Sequence, residues 1–129
     1  MHNQVKDKGG VVLSSPVSPN IGAVYIPVKD IYRSRDWYCD LLGFSNDGEV
    51  RFGHLYVIPT EGPNVVLDSK IYKEGMSLSY PLFHFNTNDI YKAYSYVQER
   101  GIELLTEIEH DHYFTFRDID GNVLMICQC

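Results

Sequence analysis

Residues 21–28 (IGAVYIPV) gather β-branched and aromatic side chains, with Pro27 near the end, a pattern that predicts a short strand. The period then lengthens. Ile31, Ser34, Tyr38 and Leu41, with Trp37 and Leu42 beside them, fall on one helical stripe. Asp30 stands before the stripe as an N-cap, because its carboxylate can accept from the free N–H groups two and three residues on. Gly43 supplies the left-handed position that stops the helix. Further along, 51–58 (RFGHLYVI) reads as a strand with Gly53 at a bulge, 59–64 as a turn, 65–68 as a short strand, and 69–80 as a loop.

A second series follows Pro81. Residues 82–87 read as a strand. Asn88 or Asp89 caps a helix with the stripe Ile90, Ala93, Tyr94 and Val97, ended by Gly101. Residues 102–108 read as a strand, the polar stretch 109–112 (EHDH) as a turn, and 113–117 as a strand. The Asp-Gly of 118–122 (DIDGN) is a hairpin signal, and 123–127 is the last strand. Residues 1–20 carry Gly9, Gly10, Pro16 and Pro19 and read as a mobile arm, with Val11–Leu13 as its one packing segment.

The two series are a repeat. Asp30-Ile31-Tyr32-Arg33 matches Asp89-Ile90-Tyr91-Lys92 at a spacing of 59, and Gly43 and Gly101 close the helices at 58. Gly62-Pro63-Asn64-Val65 matches Asp120-Gly121-Asn122-Val123, also at 58. The expected architecture is α+β: two tandem βαβββ modules, about 21–68 and 81–128, forming curled sheets around a pocket with the helices outside. Residues 21–129 then make a single domain. The hollow between the sheets is the natural place for a small molecule.

Charge and cysteine content narrow the partners. The net charge of −6 speaks against nucleic acid or an anionic membrane. No apolar run reaches the roughly 18 residues of a membrane span, and 1–10 lack the apolar core of a signal peptide. Cys39, Cys127 and Cys129 are an odd number without CxxC spacing, which predicts free thiols and a reducing, cytoplasmic setting.

With strand-VKDI…S…WYCDLLGF opening module one and FTFRDIDGNVLMI closing module two, residues 21–128 resemble the vicinal oxygen chelate superfamily. That group includes glyoxalase I, bleomycin-resistance proteins, fosfomycin-resistance transferases and extradiol dioxygenases. The resemblance implies metal ligands on the first and last strand of each module. Carried onto this chain, those positions are Ala23, Leu67, Leu82 and Met125, all apolar. None offers imidazole or carboxylate to a divalent ion. The resemblance also implies a homodimer.

Side chains two apart on a strand share a face, so Tyr25, Ser69, His84 and Cys127 are expected one layer along from the vacant positions. His84 with Cys127 reads either as a displaced metal site or thiol–imidazole pair, or as a hydrogen-bonded pocket histidine beside a small buried thiol; the second is favoured. His54 is either a substrate contact or a half-exposed strand residue. The 109–112 segment is either a metal cluster or, preferably, a solvated turn. Cys127 and Cys129 share a face and could clip a soft metal, although a chain end is a poor place for one. Of the strand aromatics Tyr25, Tyr56, Phe83, Phe85, Tyr113, Phe114 and Phe116, each alone reads as core, but at least two are expected at a pocket wall that would suit a planar ligand, with Tyr56 and Phe116 among the candidates.

The functional expectation is a protein that binds a small aromatic or amphiphilic molecule without the family's metal or any other cofactor. The alternative is a metal-dependent lyase, dioxygenase or transferase with a displaced divalent metal near His84. A third reading is an interaction module whose hollow is filled by its own side chains.

Overall fold

A computed structural model of the chain describes residues 14–129 in full, and the backbone alone of residues 3–6 and 12–13. Strands β1 (Asn3–Lys6) and β2 (Val12–Ser15) pair antiparallel, so the segment read as an arm contains a hairpin. The expected packing of Val11–Leu13 lies outside the described residues. Then follow β3 (Ala23–Pro27), α1 (Ile31–Leu42), β4 (Leu55–Ile58) and β5 (Asn64–Asp68). The second module is β6 (Phe85–Asn86), α2 (Ile90–Glu99), β7 (Tyr113–Arg117) and β8 (Val123–Cys127).

The helices begin and end where their side chains dictate. Asp30 accepts from the N–H groups of Tyr32 and Arg33 at 3.1 and 3.2 Å. Gly43 sits at φ 78°, which an L-residue rarely adopts. Asp89, rather than Asn88, caps α2 by accepting from Lys92 N–H at 3.1 Å. The α1 stripe is buried as expected, with Cys39 added to it.

Each module forms a three-stranded sheet in which the first strand lies parallel to the last: β3-β5-β4 and β6-β8-β7. With a helix on each module, this is the expected α+β class. The strands are shorter than the pattern suggested. Arg51 makes only a bridge to Leu55, because Phe52 (φ 54°) and Gly53 (φ 75°) turn the chain back at once. Gly53 is therefore in a hairpin turn, not at a bulge. In 102–108 the ladder shrinks to a Leu104–Phe116 bridge, since Thr106 Oγ1 takes the Thr115 N–H at 3.0 Å. In 82–87 only β6 survives; further back the Val123 N–H donates to Leu78 C=O instead.

One core joins the modules. Ile26, Tyr38, Ile58 and Leu67 pack in the same cluster as Val97, Phe114, Phe116 and Leu124. The DIDGN turn closes the seam. Asn122 is fully buried, and its Nδ2 donates to Pro27 C=O across the module boundary at 2.8 Å and to Asp118 Oδ2 at 2.9 Å. Its Oδ1 accepts from Leu78 N–H at 2.8 Å. Tyr38 OH donates to Asp118 Oδ2, and Ser34 Oγ donates to Asp120 Oδ2 at 2.9 Å, so α1 is held by the hairpin of the other module. Tyr96 OH on α2 answers by donating to the Asp40 and Leu41 carbonyls at the end of α1. Among the described residues no buried side-chain N or O lacks a hydrogen-bond partner.

Burial raises the Asp118 carboxyl above its ordinary value, while hydrogen bonds from Tyr38, Asn122 and the Asp120 N–H oppose the shift. Burial, then the nearby Asp118 charge, pushes the Tyr38 phenol well up, so it stays a donor. A folded-state pKa above the unfolded value means the native state holds the proton more tightly. Asp118 alone thus favours folding at low pH and loses that contribution as pH rises past the ordinary carboxylate value. Tyr38 offsets the loss by stabilising the ionised form. Tyr38→Phe should therefore cost about 1.5–3 kcal/mol at about pH 7, and less below the ordinary carboxylate range, where the raised Asp118 carboxyl holds its proton. Urea unfolding under the two conditions checks this; a pH-independent penalty would show that the ionised Asp118 is not the group Tyr38 serves.

Candidate functional site

Strand alternation and register sort the side chains onto two faces. In sheet one, Ile26, Tyr56, Ile58, Val65 and Leu67 enter the core beneath the helices. Ala23, Tyr25, Val66 and Asp68 point the other way, with Leu55 and Val57. In sheet two, Phe114, Phe116, Leu124 and Ile126 enter the core. Val123, Met125 and Cys127 lie on the far face with Tyr113, Thr115 and Arg117.

Several expected positions change accordingly. Leu67 is fully buried in the core and does not share a face with Ala23. Ile26 pairs with Leu67 and Phe85 with Ile126, so the last strands repeat at 59, not 58. The turn glycines with positive φ, Gly62 and Gly121, carry the same spacing and are the signal that would have fixed it. The module-one counterpart of Met125 is then Val66, still apolar. Tyr56 is not at a pocket wall: it packs under α1 with its hydroxyl 3.5 Å from Cys39 Sγ. Burial and that thiol raise its pKa to about 12. Phe116 is likewise fully buried in the core. Ser69 follows β5, and its N–H donates to His54 C=O at 2.9 Å.

The same one-residue shift hid Asp68. Its Oδ1 lies 2.9 Å from His54 Nδ1 and also accepts from Lys70 N–H at 2.9 Å. His54 is therefore held by a carboxylate on the far face of sheet one. Tyr25, on that face, is 57 % exposed, and Leu82, just before β6, is 56 % exposed. His84 is exposed, and Cys127, buried at the end of β8, is bonded as a disulfide to Cys129. The expectation of free thiols holds for Cys39 alone. Two same-face thiols two residues apart can meet with the Cα atoms at 5.6 Å. In 109–112, His110 and Asp111 turn through positive φ, as a hairpin turn requires.

The concave space lies at the seam, around β6. A cleft of about 260 Å³ runs between the 59–64 turn and residues 82–86, lined by Ile21, Val24, Pro63, Val65, Leu82, Phe83 and Phe85. Thr60, Glu61, His84 and Asn86 supply its polar groups. A hollow of about 320 Å³ adjoins it through His84, Phe85 and Asn86, adding Leu42 and Phe44. A third, of about 330 Å³, continues past Phe85 to Ala93, Tyr96 and Ile126. Of the expected pocket residues, His84 lines this cleft, with the strand aromatics Phe83 and Phe85 and the vacant-position residue Leu82.

A family model, the Glyoxalase/Bleomycin resistance protein/Dioxygenase superfamily, matches residues 20–126. The chain belongs to this superfamily. No curated protein matches it. Solved structures of the same fold include a superfamily member from Sphaerobacter thermophilus, 24 % identical with a TM-score of 0.66, covering 84 % of this chain and 96 % of that one. TnmS3, an antibiotic binding protein from a Streptomyces species, is 22 % identical with a TM-score of 0.68, covering 88 % and 98 %. A lactoylglutathione lyase from Agrobacterium tumefaciens is 13 % identical with a TM-score of 0.67, covering 88 % and 96 %. At such identities the likeness is one of fold.

At the positions that the resemblance assigns to the superfamily's metal, the donor set does not suit a divalent ion. Ala23, Leu82, Met125 and either Leu67 or Val66 give one thioether among four positions, and no imidazole or carboxylate. Among the described residues no helix is long and apolar enough to cross a membrane. The disulfide has a direct check. Denatured without reductant, the chain should alkylate at one thiol, Cys39, and at three after reduction; three labels without reductant would show the pair open.

Proposed function

We propose that the protein binds a small aromatic or amphiphilic molecule in the β6 cleft, without a metal at the superfamily's four positions. The observation that carries this reading is the lining of the cleft: seven apolar side chains with four polar groups at intervals. Such a wall binds by burying apolar surface and orients its guest through a few polar atoms. The openings on either side of Phe85 enlarge the space, an apolar one toward Ala93 and Ile126 and a more polar one toward Phe44 that shares Thr60, Glu61, His84 and Asn86. The antibiotic-binding neighbour shows that this fold accommodates binding as a function, and the lyase neighbour that it accommodates catalysis. The apolar metal positions favour the first.

The test is a thermal-shift screen of planar and amphiphilic compounds in excess chelator. A compound present at a hundredfold excess over its Kd stabilises the native state by about 2.7 kcal/mol, a rise of several degrees in Tm. Leu82→Glu, at an exposed cleft position, should abolish the shift while leaving the ligand-free stability within about 0.5 kcal/mol of the parent. A shift that requires added metal, or one that Leu82→Glu leaves intact, would refute the reading.

We also propose that two copies pair. What supports this is the exposure of Tyr25, an aromatic side chain on an open sheet face. Sedimentation should give a dimer that Tyr25→Glu converts to monomer; a monomeric parent would refute pairing.

A further inference from the structure

We propose that His84, Cys127 and Cys129 form a thiol-gated site for Zn²⁺, closed as a disulfide and opened by reduction. The inference does not rest on the small-molecule reading. The imidazole nitrogen and the two sulfur atoms all lie within 4.8 Å of one another. These three residues come from two places: His84 from the segment entering β6, and the two cysteines from the end of β8 and the residues after it. Asn86 pairs with Cys127 in the parallel ladder, which draws the chain carrying His84 alongside the thiols. This set lies two residues along the strands from Leu82 and Met125, so it is not the superfamily's own metal position.

The donor set selects the ion. Two thiolates and an imidazole suit Zn²⁺, with Zn–S near 2.3 Å and Zn–N near 2.0–2.1 Å, and leave a fourth tetrahedral position open. Cys127 is buried at the end of a paired strand and can serve as the fixed ligand; Cys129 is exposed beyond it and can swing. His84 also lines the β6 cleft, so the ion would sit beside that space. The disulfide itself is a poor staple. It links residues two apart, and the unfolded-state entropy a cross-link removes is least for the shortest loops. The pair is better explained by what the separated thiols can hold.

The chemistry balances with a dithiol reductant. The reductant's two thiols transfer two electrons and two protons to the Cys127–Cys129 bond; that S–S bond breaks, two thiols form, and the reductant becomes a disulfide. Zn²⁺ then takes the place of the two thiol protons, which pass to solvent, while neutral His84 donates a ring-nitrogen lone pair.

The experiment uses the full chain, reduced with a dithiol and freed of it without oxygen. Co²⁺ serves as the spectroscopic probe and Zn²⁺ as its competitor. One Co²⁺ per chain is expected, with a thiolate charge-transfer band and tetrahedral visible bands, both erased by one equivalent of Zn²⁺. The oxidised chain should take up none. Cys129→Ser should lose the charge-transfer signature of the paired thiolates. His84→Ala should keep thiolate absorption but weaken Zn²⁺ binding by at least roughly tenfold, since even outer-shell partners cost that much. His112→Ala, in the neighbouring turn, should change nothing. Both site variants alter exposed side chains, and far-ultraviolet circular dichroism confirms that they fold. A reduced chain without a thiolate–cobalt band, equal uptake by the oxidised chain, or unaltered affinity in His84→Ala would each overturn the proposal. A Tm shift by organic compounds in chelator is a separate readout, so either proposal can fail alone.

Discussion

The side chain of Asn122 holds the two halves of this protein in register. It spends both donors and its acceptor on three different segments: the end of β3, Asp118 in its own turn, and Leu78 in the connection between the modules. Removing any one of these would leave a buried polar group without a partner, which costs more than the bond itself contributes. Asp118 extends the lock to α1 through Tyr38, and Asp120 through Ser34. The helix stripe of module one is thereby fitted to the hairpin of module two, and the seam along β6 acquires its shape. The motif that most marks the superfamily in this sequence is thus a structural device, which is why it identifies a fold and leaves the chemistry open.

The elements with strong local signals were legible. Asp30, Gly43, Asp89 and Gly101 mark both helices, and the Asp-Gly turn marks the last hairpin, because capping and turn chemistry depend on a few neighbouring residues. The repeat and the α+β class followed from them. Strand extent was not legible, because a ladder needs partners as well as propensity. Thr106 diverts one donor to its own side chain, and Phe52–Gly53 reverses the chain inside an apolar run.

The site was less readable for a related reason. A strand's faces alternate at every residue, so one position of slip exchanges core for surface. Aligning Asn64 with Asn122 put Leu67 on the open face and hid Asp68, the partner of His54. Tyr56 and Phe116 fell to the same ambiguity, since aromatic strand residues suit a core and a pocket equally well. His84 and Cys127 were brought together as their parity suggested. The disulfide of Cys127 with Cys129 follows from their shared face two residues apart, which an odd cysteine count does not reveal.

The architecture therefore separates three regions: sheet faces whose metal positions are apolar, a thiol–imidazole cluster at the end of β8, and an apolar cleft at the seam. The last of these is the proposed binding site. The most direct measurement is amide chemical-shift mapping with anilinonaphthalene sulfonate, an amphiphilic aromatic probe, in excess chelator. Perturbations confined to 59–64 and 82–86, with the Leu42–Phe44 edge, are the predicted result. Perturbations centred on Tyr25, Val66 and Met125, with the seam unmoved, would contradict it and return the site to the open faces of the sheets.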